Sequence, residues 1–174
     1  MRFVLLLLLA GCATADRSLS DWEREQAQRE PAARPAADES VALPAYPVAS
    51  NLVEFSIDDP GGFRYFVDRA TLSVGKDGVV RYVLVARSAA AQNVSFEGFR
   101  CATGEHRVFA LGRAMGGTEG TWARSFSGWH SITAAQPRQI TLFREFLCPQ
   151  KEPVASAREG VRALERGVRP ESGR

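Results

Sequence analysis

Histidine and cysteine are scarce in this 174-residue chain, with two His and three Cys. Three cysteines cannot staple a disulfide-packed mini-scaffold. His106 and His130 are the only imidazoles, and no spacing gathers further ligands around either, so no metal site is expected. Net charge is nearly absent: 22 basic against 20 acidic residues leaves +2. That balance gives no general pull on nucleic acid and no acidic-tail signature. No apolar run approaches the roughly 20 residues of a membrane helix. There is no Gly-x-Ser-x-Gly elbow and no phosphate loop, since Gly116–Gly120 lacks the Gly-Lys-Ser/Thr ending. No cofactor is implied. Hydrophobic residues at 45% and charged residues at 24% fit one ordinary globular domain.

The first residues read as an address. Met1-Arg2 is positive, and Phe3 to Ala10 (FVLLLLLA) has the length of a signal-peptide core. Leu9-Ala10-Gly11-Cys12 follows and resembles the lipobox of bacterial lipoproteins. The resemblance implies removal of residues 1–11 and a diacylglyceryl thioether on Cys12. Several acyl chains on one residue anchor stably, where a single chain binds only marginally. Ala13, where Asp would mark inner-membrane retention, favours the outer membrane facing the periplasm.

Residues 12–43 hold Pro31 and Pro35 with many Ala, Arg and acidic residues, and Trp22 is their one aromatic. Such a segment cannot bury enough apolar area to offset its ordering entropy, so it is expected to be a flexible tether. It would reach roughly 30 Å on average. Ser20-Asp21-Trp22-Glu23 has the pattern of a capping box, but an isolated helix this short is marginal in water.

From residue 44 the patterning changes to that of a folded domain, 44–174. Strands are expected over 52–57, 63–68, 71–74, 79–87, 93–101 and 106–111. Asp77-Gly78 is a strong hairpin signal. Short turns between consecutive strands imply an antiparallel meander. The 79–87 strand is apolar on both faces at its middle, which predicts a central strand covered on both sides. Pro137 followed by Ile140, Phe143, Phe146 and Leu147 predicts one covering helix. Ser156 to Glu159 is a capping box that starts another, with Ala157, Val161, Leu164 and Val168 as its stripe. Gly160 inside it signals close backbone packing. The fold class is therefore α+β: an antiparallel sheet with C-terminal helices packed on one face.

With Cys12 lipidated, Cys101 and Cys148 remain, and export would oxidise them. A bond between them would pin helix to sheet, worth about 4 kcal/mol by chain-entropy reasoning. Metal ligation or a redox pair are the alternatives. There is no Cys-x-x-Cys, and neither His neighbours a Cys.

Several segments in order resemble a family. They are Leu43–Pro47, Leu72–Gly75 before Asp77–Tyr82, Val94–Cys101 and Phe146–Pro149. They are similar to the cryptic-neisserial-protein-like (CNP-like) family of small exported, often lipid-anchored proteobacterial proteins. The resemblance covers roughly 44–168 and leaves the tether outside. It implies an envelope location and a single domain, and it carries no activity or catalytic residues.

Two features carry candidate chemistry. Carboxylates at Asp58, Asp59, Asp68, Glu97 and Glu119 are available, but no spacing singles out a catalytic pair. Glu97 shares a strand face with Phe99 and Cys101, so it is expected to be buried against an arginine, Arg81, Arg87 or Arg107. His106, at the start of its strand, is expected to face solvent. Trp122, Phe126 and Trp129, with Arg124, form a candidate surface for an envelope protein or glycan, since Trp and Arg are common anchors. The other reading of these tryptophans is that they pack inward and tie their loop down. The chain is thus expected to be a lipid-anchored envelope protein with a binding or structural role. Its rival is a small hydrolase acting on cell-wall material, which a cleft with two convergent carboxylates or a histidine-containing site, such as Glu97 meeting His106 in a deep pocket, would favour.

Overall fold

The computed structural model describes residues 41–57, 61–116 and 119–167. Cys12, the segments read as signal and tether up to residue 40, Asp58, Asp59 and Val168 lie outside them. One antiparallel sheet holds the described strands: β1 Leu52–Phe55, β2 Arg64–Asp68, β3 Ser73–Val74, β4 Val79–Arg87, β5 Gln92–Arg100, β6 Glu105–Gly116, β7 Glu119–Arg124 and β8 His130–Ser131. The order is β1-β2-β4-β5-β6-β7, with β3 on β4 and β8 on β6. The expected meander is present, extended by β7 and β8, whose polar, Gly- and Ser-rich residues carry little strand signal.

β2 and β3 share one edge of β4, each pairing with half of it. Between them the chain kinks at Asp68–Leu72. The Val83 N–H would be orphaned there, and Thr71 Oγ1 accepts it at 3.0 Å while donating to the Asp68 carbonyl. The hairpin into β4 turns at Gly78, whose φ of +72° suits glycine.

Two core layers result. On one face Val80, Tyr82, Leu84 and Ala86 of β4 join Phe99, Phe55 and Val67. Two helices cover them. The first, α1, runs Pro137–Thr141 and continues through a wider, π-type stretch, Leu142–Leu147. Its last turn closes with the Cys148 N–H donating to the Phe143 carbonyl at 2.7 Å. Widening keeps Leu142, Phe143, Phe146 and Leu147 all buried. The second, α2, is Ala157–Gly167. Ser156 Oγ accepts from the Glu159 N–H, and the Glu159 carboxylate accepts from the Ala155 N–H. A Cβ on Gly160 would stand 2.8 Å from Leu72 and 3.2 Å from Leu147. The helix backbone therefore lies directly on the core, as the lone glycine signals.

Cys101 and Cys148 form a disulfide with Cα atoms 5.3 Å apart, and both are buried. It ties the end of β5 to the end of α1 across 47 residues.

Neither of these two helices packs on the second face. Phe66, Val83, Val85, Val94, Phe96 and Phe109 are roofed by Trp122, Trp129 and residues of a lead-in segment, Val41, Leu43 and Tyr46. This segment runs along β7. Arg124 donates to the Val41 carbonyl, Trp122 Nε1 donates to the Pro44 carbonyl, and Tyr46 sits over Gly112 and Gly120. Two residues read as the end of the tether therefore lie against this layer. Val41 and Leu43 already belong to the packed domain, because the second face needs apolar cover that the helices do not supply.

Candidate functional site

A short irregularity in the sheet creates the most unusual polar site. In β6 the pairing with β5 skips Phe109: Phe96 faces Ala110 and Glu97 faces Val108. The bulge sends Phe109 and Ala110 together into the second core layer. On the helix-covered face Glu97 lies opposite Tyr82 of the neighbouring β4. His106, two residues before Val108 and opposite Phe99, lies on the same face.

Glu97 is 1% exposed and His106 is 6% exposed. Glu97 Oε2 lies 2.7 Å from His106 Nε2 and accepts from the Tyr82 hydroxyl at 3.3 Å. Oε1 accepts from Ser95 Oγ. Burial alone would raise the Glu97 carboxyl. The hydrogen bond and charge of His106, the Ser95 hydroxyl and the Arg138 charge outweigh it, and the group sits below its ordinary value. Burial first, then the Glu97 charge and hydrogen bond, pushes the Tyr82 phenol well above its ordinary value, so it remains a donor. The ring of Phe99 lies against His106, at 5.6 Å between centroids, and shields the pair.

Two expectations are corrected here. The partner of Glu97 is His106, not an arginine, and His106 is buried rather than facing solvent. Arg81 instead pairs with Asp77. The register that aligns Phe99 with His106 places the imidazole inward, and register is not readable from one strand alone.

Glu97 and Ser95 form the inner wall of a half-open groove of about 340 Å³. Leu84, Ala86, Asn93 and Leu111 line it from the sheet, and Arg138, at the start of α1, lines it from above. Leu111 at its rim is 54% exposed.

The order of groups decides the chemistry. In a Ser-His-acid triad the imidazole lies between the hydroxyl and the carboxylate, so that it can take the hydroxyl proton. Here the carboxylate lies between Ser95 and His106, and Ser95 donates to it directly. Among the described residues no second acid lines the groove for a carboxylate pair. Among the described residues no three His, Cys, Asp or Glu side chains cluster to hold a metal.

The aromatic candidates separate. Trp122 and Trp129 are half-buried. Trp122 packs on Tyr46 and Phe96, with centroids at 5.5 and 6.4 Å. Trp129 sits edge-on to Phe109, and the Arg100 guanidinium lies 4.1 Å over its ring. Both tie their segment to the second core layer. Phe126 is 87% exposed, and Arg124 is exposed while holding the Val41 carbonyl. Among the described residues no helix is long and apolar enough to cross a membrane.

A model of the CNP1-like family matches residues 31–165. The match begins earlier than the expected 44 and takes in the end of the segment read as tether. No curated protein and no solved structure matches.

Proposed function

The chain belongs to the CNP1-like family, and from that premise we propose that it is a lipid-anchored envelope protein with a non-catalytic binding or structural role. The observation that carries the non-catalytic reading is the position of Glu97 between Ser95 and His106. Each carboxylate oxygen is engaged, and the imidazole bonds the far carboxylate oxygen, not the Ser95 hydroxyl. Such a network holds three strands in register and gives the groove a rigid wall. The envelope reading draws support from the buried Cys101–Cys148 disulfide, which persists in oxidising compartments. It also draws on Leu9–Cys12 as a lipidation site, with outer-membrane attachment facing the periplasm. An envelope protein or a glycan is the partner class this location favours.

One observation favours the rival hydrolase: a buried acid and imidazole 2.7 Å apart beside a groove. Incubation of the purified protein with isolated cell-wall material separates the two. The proposal expects no soluble fragments above the buffer control. Fragment release that disappears in Glu97→Gln, with the fold retained, would overturn it.

A further inference from the structure

A second groove, of about 400 Å³, lies on the opposite side of α1, where the helix meets the disulfide and the β5–β6 turn. Its floor is apolar, built by Ile132, Ile140 and Phe143. Two cations line it, Arg144 from α1 and Lys151 from the turn after the disulfide, and Ser131 adds a hydroxyl. No acidic side chain is among the described residues that line it. Neither cation has an ion pair among the described residues, although Arg69, Arg64, Arg81 and Arg100 all find acidic partners.

The backbone that delivers Lys151 is unusual. Gln150 and Lys151 both adopt left-handed conformations, at φ 56° and 66°. Non-glycine residues rarely do so, and such positions concentrate at ligand clamps. The double turn is held by the Lys151 N–H donating to the Cys148 carbonyl and the Glu152 N–H donating to the Pro149 carbonyl. The disulfide fixes its root.

We propose that this groove binds a small anionic amphiphile: one carboxylate or phosphate between Arg144 and Lys151, with an apolar tail against Ile132, Ile140 and Phe143. The volume suits a small ligand, and pairing an apolar floor with a few placed polar groups is the usual composition of such sites. Charge-assisted bonds to the two cations would fix orientation. The ligand is either a free amphiphile or the headgroup region of a membrane lipid. This site does not depend on the Glu97 groove or on the anchoring of Cys12.

The test uses the full chain in discs of neutral phosphatidylcholine and a photoreactive diazirine analogue of octanoate. Labelling is expected on peptides spanning Ile140 to Lys151. Octanoate should displace the probe, and neutral octanol and inorganic phosphate should not. Arg144→Gln with Lys151→Gln should lower apparent affinity by about tenfold or more, the loss expected of charge-assisted bonds. The charge-keeping pair Arg144→Lys with Lys151→Arg should retain labelling. Displacement by octanoate assigns a free ligand, whereas displacement only by phosphatidylglycerol in the discs assigns a lipid headgroup. Displacement by neither, labelling elsewhere, or labelling unchanged by neutralising both cations in a protein of normal thermal midpoint would overturn the proposal.

Discussion

His106 Nε2 lies 2.7 Å from Glu97 Oε2, and both side chains are removed from solvent. A buried acid whose partner is taken away leaves uncompensated polar groups, and the reverse holds equally. Glu97→Leu strands the His106 nitrogen, the Tyr82 hydroxyl and the Ser95 hydroxyl together. It should cost about 3 kcal/mol or more in denaturant unfolding. A change within about 0.5 kcal/mol would show that the network contributes nothing to the fold.

Acid should expose the same relationship. The folded Glu97 carboxyl sits below its ordinary value. Its contribution is therefore present above the unfolded value, about 4.3, and is lost as pH falls through the lower folded value. Asp68 acts in the opposite sense. Burial raises it, with partial offset from the Ala70 N–H, so its protonation favours the fold as pH falls. The stability gap between wild type and Glu97→Gln should narrow on acidification. A gap that stays constant down to the lowest pH at which the protein folds would contradict the assignment.

Removing the staple should be costly. Cys101→Ala with Cys148→Ala frees a loop spanning 47 residues, worth about 4 kcal/mol in the chain-entropy account. Unfolding in denaturant should shift to lower concentration, and reductant should move wild type toward the variant but leave the variant in place. Equal midpoints for the two proteins would remove the disulfide from the stability account.

Gly160→Ala sets two effects against each other. Alanine gains about 1 kcal/mol of helix propensity. The new methyl would meet Leu72 at 2.8 Å and Leu147 at 3.2 Å, and overpacking costs about 1–3 kcal/mol. Overpacking should win, because Leu147 and Leu72 are themselves buried and cannot retreat freely. A higher thermal midpoint in Gly160→Ala would show that the packing there is loose.

The aromatic residues should behave differently from one another. Trp122→Ala removes contacts with Tyr46 and Phe96 and the hydrogen bond to Pro44, at a cost of about 2 kcal/mol or more. Phe126→Ala, at an 87% exposed ring, should stay within about 0.5 kcal/mol of wild type. Urea unfolding of both variants checks this, and similar losses for the two would place Phe126 in a packed environment.

Local signals in the chain carried well. The two-faced apolar middle of β4, the Asp77-Gly78 turn, the Ser156–Glu159 capping box and the lone Gly160 each have a short-range cause, and each is found in place. Long-range relationships did not carry. The pairing of Glu97 with His106 depends on register and on a bulge at Phe109, which no single segment encodes. The lead-in residues Val41 and Leu43 look like linker because their role is set by a face built from β4, β5 and β6. The wide stretch in α1 keeps ordinary helical spacing in sequence, so its geometry is invisible there.

The central claim is a lipid-anchored envelope domain, and the mature N-terminus tests it most directly. Intact and peptide mass spectrometry of the full chain, purified from membranes of a cell that processes lipoproteins, should find Cys12 as the first residue, carrying diacylglyceryl and acyl groups. Cys12→Ser should leave the precursor uncleaved or release the protein from the membrane fraction. A mature chain that keeps Met1, or begins elsewhere with an unmodified Cys12, would contradict the account.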